Sequence, residues 1–160
     1  MEKITSFSGP NSFLSNFHPA KVTFEGIEFP TSEHAFQAVK TLDTEERKRI
    51  AALSTPGKAK AAGKRVKLRD NWNGIRVSVM RAIVDAKFRQ NPVLARELLD
   101  TGDAELIEGN TWNDTFWGVC RGKGQNWLGK ILMEVRADLR NEEQHAADEG
   151  SAPLFPPTTR

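Results

Sequence analysis

The chain has 160 residues, 38% of them hydrophobic and 28% charged, a length and composition that suit one soluble domain with a real core. Lys and Arg number 23 against 21 Asp and Glu, and the resulting net charge of +2 is too mild to imply nucleic-acid binding, although a local basic cluster can still meet a phosphate. A lone cysteine, Cys120, cannot form an internal disulfide and fits a reducing cytoplasm; with no long apolar run and no apolar N-terminal block, neither a membrane span nor a signal peptide is expected.

In chain order, Phe13 to Pro19 is apolar but irregular and reads as a loop. Val22-Thr23-Phe24 and Ile27-Glu28-Phe29 alternate apolar and polar residues around Glu25-Gly26, which predicts a short hairpin. Pro30 ends it, and Thr31 or Ser32 can cap a helix carrying Glu33, Phe36, Gln37 and Lys40 on one face. A second helix starts at Asp43 or Thr44, and a third, basic one opens at Thr55-Pro56. A fourth follows Asn71-Trp72-Asn73-Gly74, with Ile75, Val79, Ile83 and the Ala86/Lys87 pair at helical spacing and Met80, Val84 and Phe88 widening the stripe. Asn91-Pro92 starts a fifth that stops near Gly102, and Glu105 to Glu108 suits a strand better than a helix. Gly109 to Gly124 reads as a long ordered loop, after which Leu128, Ile131, Leu132, Val135 and Leu139 mark a final helix. From about Asn141 the chain turns polar and Pro-rich, so the expected organisation is a folded domain over 1–140 and a disordered tail over 141–160. The fold class is α+β, a helix-dominated single domain with a small β element.

Four groups of residues could carry chemistry. Glu33 and Lys40 are two turns apart, and a pocket above their face would see a carboxylate and an amine together; a solvated charged face is the alternative. Asn110 to Gly118 packs Trp112, Phe116, Trp117 and Asp114 into one loop, where Asp114 is either a desolvated acid or a turn residue. Gly122 and Gly124 precede the last helix and resemble a phosphate cradle without the Walker spacing; a turn plus a cap is the alternative. Trp72 could stack on a base or staple its helix, and the Lys58 to Arg69 segment could hold phosphate or be a solvated lysine face. His18, His34 and His145 sit at no ligand spacing with one another or with Cys120, so no metal is expected, and no cofactor.

Five ordered blocks together resemble the NADAR family, also called YbiA-like. They are Phe13-Leu14-Ser15-Asn16-Phe17; Phe29-Pro30 through Lys40; Pro56-Gly57-Lys58-Ala59-Lys60 with Gly63-Lys64; Trp117-Gly118; and Gly122, Gly124, Asn126, Leu128-Gly129 and Leu132-Met133. The resemblance implies a YbiA-like fold and N-glycosidase activity, the hydrolysis of a bond between ribose and nitrogen. Its substrates would be phosphorylated ribosylamino-pyrimidine intermediates of riboflavin synthesis, or ADP-ribose on guanine bases of nucleic acid. A non-catalytic NAD or ADP-ribose reader on the same pocket is the competing expectation, and a DNA-binding module using the basic helix a third. The expected partner is a small phosphorylated ribosyl substrate, and no membrane.

With that chemistry in view, Glu33 is expected to orient or activate water at the ribose. Lys40 is either a phosphate or ribose contact or a covalent nucleophile. Asp114 is the second acid. Trp72 and Trp117 are expected to stack on the base or wall the pocket. Ser15, Asn16, Phe36 and Gln37, together with Gly118, Gly122, Gly124 and Asn126, are expected substrate-binding residues.

Overall fold

The computed structural model describes residues 2–157. Its elements run β1 (Lys3–Ile4), a 3-10 helix (Gly9–Leu14), β2 (Val22–Phe24), β3 (Ile27–Phe29), α1 (Ser32–Ala38), α2 (Thr44–Ala51), α3 (Pro56–Gly63), α4 (Trp72–Gln90), α5 (Pro92–Asp100), β4 (Glu105–Leu106), β5 (Gly109–Asn110), β6 (Val119–Cys120) and α6 (Trp127–Asp148). The fold is α+β with helix dominant. Contacts divide it into two units: Asn16–Gln90, here the central unit, and the N-terminal segment to Ser15 together with the chain from Asn91 on, here the terminal unit.

The central unit begins with the predicted hairpin. β2 and β3 pair antiparallel with Val22 opposite Phe29 and Phe24 opposite Ile27. Glu25 and Gly26 both take positive φ, 48° and 82°, the type I′ geometry that a two-residue hairpin needs. Arg47 of α2 holds that turn, its Nη1 2.7 Å from Glu25 Oε2, and its Nε donates to the Thr41 carbonyl. Three helices start where the sequence says they should. Thr31, Asp43 and Thr55 each accept backbone N–H groups in the first turn of α1, α2 and α3.

α4 buries Met80, Ile83, Val84, Lys87 and Phe88, a stripe at three- and four-residue steps. This stripe packs on α1 and β2. One member is a lysine. Lys87 is 1% exposed, its Nζ 5.1 Å from the Phe88 ring centroid, and burial lowers its pKa from 10.5 to about 7.

In the terminal unit β1 pairs parallel with β4, and β5 with β6. The core is built from Leu98, Leu106, Leu128, Ile131, Leu132, Val135 and Leu139. Here the expected tail is corrected: α6 does not end near Asn141 but continues to Asp148. The extension, Asn-Glu-Glu-Gln-His-Ala-Ala-Asp, is poor in core residues but rich in helix formers. It is also pinned from the side, because Arg96 Nη2 donates to Glu143 Oε1 at 2.6 Å. The same guanidinium donates to the carbonyls of Phe155 and Pro156, and Phe155 is buried. Hydrophobic patterning cannot register an anchor made by one arginine and two carbonyls.

No helix among the described residues is long and apolar enough to cross a membrane.

Candidate active site

Every residue of α1, Ser32 to Ala38, is buried. A helix buried all round is normally apolar. This one carries Ser32, Glu33, His34 and Gln37, and the fold supplies partners for them. Ser32 Oγ donates to Asn16 Oδ1 at 2.9 Å, and the Glu33 N–H donates to the Asn16 carbonyl. His34 Nε2 lies 2.9 Å from the Leu53 carbonyl, which can only accept, so Nε2 carries the proton. Nδ1 then accepts from the Thr31 hydroxyl at 2.7 Å. Both ring nitrogens of His34 are thereby taken up by partners within the fold. Gln37 Nε2 donates to Glu33 Oε1 at 2.8 Å.

The stripe of Glu33, Phe36 and Gln37 therefore faces inward, at 7%, 4% and 5% exposure. Lys40 needs a correction. The helix ends at Ala38 with Val39 as its C-cap, so Lys40 does not share the helical face. The chain tightens instead into i to i+3 bonds, with the Lys40 N–H on the Gln37 carbonyl and the Thr41 N–H on that of Ala38. The Lys40 carbonyl accepts from the Arg69 N–H at 2.8 Å, which fixes the turn.

Lys40 is half-buried. Its Nζ lies 5.7 Å from the Phe36 ring centroid, within cation–π range, and Phe36 packs on Trp72 at 5.3 Å. Burial lowers the Lys40 pKa. The Glu33 carboxylate opposes that, and Lys60, Lys64 and Arg76 add to it. Lys40 thus feels one carboxylate from α1 and three further cations from α3, its C-cap and α4.

The other expected residues of the central unit have clear placements. Trp72, 6% exposed, opens α4 and walls Phe36. Asn16 is buried, its Oδ1 taken by Ser32 and its Nδ2 directed at Met80 Sδ. It latches the start of α1. A cavity of about 510 Å³ opens beyond Lys40, lined by Thr41, Leu42, Asp43, Glu46 and the Arg65 to Asp70 segment. Of the residues that the sequence marks for chemistry, only the Arg65 to Arg69 end of the basic segment lines it.

In the terminal unit Ser15 caps the 3-10 helix through its N–H. Asp114 Oδ1 accepts from the Phe116 and Trp117 N–H groups at 3.1 and 2.9 Å, the turn geometry that the sequence leaves open. Asn110 braces the same loop, exchanging bonds with the Asp114 backbone. Trp117 packs edge-on against Phe116 at 4.8 Å. Gly118 is there for space: a Cβ would stand 1.6 Å from Glu108 Oε2.

The glycines before α6 form a hairpin turn. Arg121 and Gly122 take positive φ, 52° and 77°, between reciprocal Cys120 and Lys123 backbone bonds. At Gly124 a Cβ would meet the Gly118 carbonyl at 2.1 Å. The first amides of α6, those of Trp127 and Leu128, donate to the carbonyls of Phe116 and Trp117, so loop oxygens occupy the donors that an anion would need. Asn126, at φ 53°, accepts from the Glu108 N–H and donates to the Leu106 carbonyl, both at 2.9 Å. Spacing alone could not separate this latch from a ligand contact.

Sequence reading missed Arg76 as a member of the cation group. Its position four residues after Trp72 on one helix was the available signal. No group of three or more metal-binding side chains occurs among the described residues.

Comparison with known proteins agrees with this architecture. A 133-residue stretch is 44% identical to N-glycosidase YbiA of Escherichia coli, covering 81% of this chain and 82% of that one. A riboflavin biosynthesis protein of Vibrio vulnificus is 40% identical over 152 residues; these cover 91% of this chain but only 40% of the longer relative. The NMR structure of E. coli YbiA superposes with a TM-score of 0.79 at 38% identity, over 90% of this chain and 89% of that one. The NADAR domain model matches residues 5–140, and the chain belongs to the NADAR domain family.

Proposed function

We propose that the chain is an N-glycosidase that hydrolyses a ribose–nitrogen bond in a phosphorylated nucleoside-like substrate. The observation that carries this is the buried Glu33 carboxylate coupled to the half-buried Lys40, on which Lys60, Lys64 and Arg76 also act. Two relatives bear names of matching chemistry, an N-glycosidase and a riboflavin biosynthesis protein.

Breaking the bond builds positive charge on the ribose ring, and water must add at the anomeric carbon while the nitrogen leaves with a proton. A carboxylate held out of bulk water stabilises that charge strongly and can take the water proton. In this reading Glu33 does both. The cations that act on Lys40 outnumber the carboxylate and suit a phosphate, whose anchoring would fix the sugar near Glu33. Lys40 either belongs to that anchor or attacks the anomeric carbon through its amine, a form its burial favours. Asp114, whose Oδ1 serves the loop, is the proposed second acid and gives the leaving nitrogen its proton. Phe36 and Trp72 wall the site around Glu33, and a reducing cytoplasm is its setting.

The substrates that fit are a ribosylamino-pyrimidine phosphate of riboflavin synthesis and ADP-ribose carried on guanine. Incubation with each, and with NAD, followed by chromatography of the freed base, tests the reading. Base release from one of them supports it and names the substrate. Tight binding of all of them with no release overturns it in favour of a reader module. Lys40→Arg separates the two roles of Lys40: an anchor tolerates the guanidinium, a nucleophile does not.

A further inference from the structure

Gln37 is buried to the same degree as the carboxylate it serves, yet only one end of its amide is satisfied. Nε2 donates to Glu33 Oε1 at 2.8 Å, while Oε1 is buried without a hydrogen-bond partner among the described residues. A bare buried carbonyl oxygen is unfavourable, so the rotamer is held for some other gain. Turning the amide over would set oxygen against carboxylate oxygen, acceptor against acceptor. The observed setting is therefore the one a charged Glu33 selects.

The seat for this amide lies on α3. A Cβ added to Gly63 would stand 1.9 Å from Gln37 Oε1, 2.7 Å from Cδ and 3.0 Å from Cβ. Gly63 is the last residue of α3, followed by Lys64 as C-cap, and is not among the positive-φ glycines. Alanine would suit such a helical position better than glycine. Conformation does not explain this glycine; room for the Gln37 amide does.

We infer that Gln37, seated against Gly63, is a positioning residue that aims the Glu33 carboxylate rather than touching substrate itself. The inference rests on the reading of Glu33 as the carboxylate of the site. A donor directed at a carboxylate stabilises its charged form. Loss of that donor raises the pH at which Glu33 takes up a proton and frees its orientation. Two changes reach this result by different routes. Gln37→Leu deletes the donor. Gly63→Ala keeps the donor but pushes it from its seat; the two hardest clashes fall on the end of a flexible side chain, and the contact with Gln37 Cβ asks α1 and α3 to give by only a few tenths of an ångström. Changes that act through one contact do not add.

The test uses the full chain with 13C-labelled glutamate carboxyls, the Glu33 signal being the one lost in Glu33→Gln. The Glu33 midpoint rises by about one pH unit in Gln37→Leu and in Gly63→Ala, and by no more in the double variant. The low-pH limb of kcat/KM on a cleaved substrate moves by the same amount. If Gln37→Leu does not fold, Gly63→Ala alone carries the measurement. A Glu33 midpoint unmoved in the folded variants, or shifts that add in the double variant, overturns the inference. A shift in a protein that cleaves none of the offered N-glycosides leaves the Gln37–Glu33 coupling standing and overturns the glycosidase reading instead.

Discussion

At the scale of single residues, the electrostatics of Lys40 can be checked without a substrate. Burial lowers its pKa, Glu33 raises it, and Lys60, Lys64 and Arg76 lower it further. Each contribution has a sign that substitution must reproduce. Removing the opposing carboxylate with Glu33→Gln lowers the Lys40 midpoint. Removing a like charge with Lys60→Gln or Lys64→Gln raises it. Titration of 13C-methylated lysines by NMR reads all three, and a midpoint indifferent to Glu33→Gln would separate the two groups that the account joins. Little of this coupling was legible beforehand. The sequence puts Glu33 and Lys40 two turns apart on an ideal helix, but the helix ends at Ala38 and a tightened turn, fixed by the Arg69 amide, carries the lysine. The residue types were readable; their meeting depends on a bond from a segment 29 residues further along the chain.

At the scale of elements, local chemistry was legible where one residue dictates one geometry. Glu25-Gly26 forces the hairpin, and Thr31, Asp43 and Thr55 start their helices through their own side chains. It was misleading where glycine admits two explanations. Gly122 and Gly124 before a helix suggest an anion site, yet they form a turn and a close crossing, and Phe116 and Trp117 carbonyls occupy the helix amides. Asn126 ties this construction together by satisfying the Glu108 N–H and the Leu106 carbonyl, and its amide leaves no room for a side chain at Gly129. Asn126→Ala strands both partners and destabilises the protein by about 2 kcal/mol, readable as a lower urea midpoint. A midpoint equal to wild type would mean that the two bonds carry no net stability, and would return Asn126 to its expected place as a ligand contact.

At the scale of the whole molecule, the buried Lys87 makes stability depend on pH. Its pKa is lowered by burial from 10.5 to about 7 in the folded chain. Between those values the unfolded chain holds a proton that the folded chain has lost, so stability rises with pH across that window, by at most about 1.4 kcal/mol per pH unit. Below about pH 7 both states are protonated, and the contribution is flat at its least favourable. Urea unfolding near pH 7 and near pH 9 therefore shows a gain in wild type that Lys87→Met lacks, and parallel curves for the two proteins would contradict it. The sequence places Lys87 on the core stripe of α4, where a lysine conflicts with the pattern around it, and burial shows that the pattern prevails. The end of α6 teaches the converse: its continuation to Asp148 beside Arg96 follows from tertiary anchors that no periodicity contains.

The proposed chemistry of Glu33 on a ribosyl substrate is tested by the rate of base release by wild type and by Glu33→Gln. The replacement keeps the shape of the side chain and an oxygen able to accept from Gln37, so the urea midpoint stays close to that of wild type. With Glu33 as the reacting carboxylate, kcat falls by about a hundredfold or more. A Glu33→Gln protein that folds normally and releases base at the wild-type rate would contradict it.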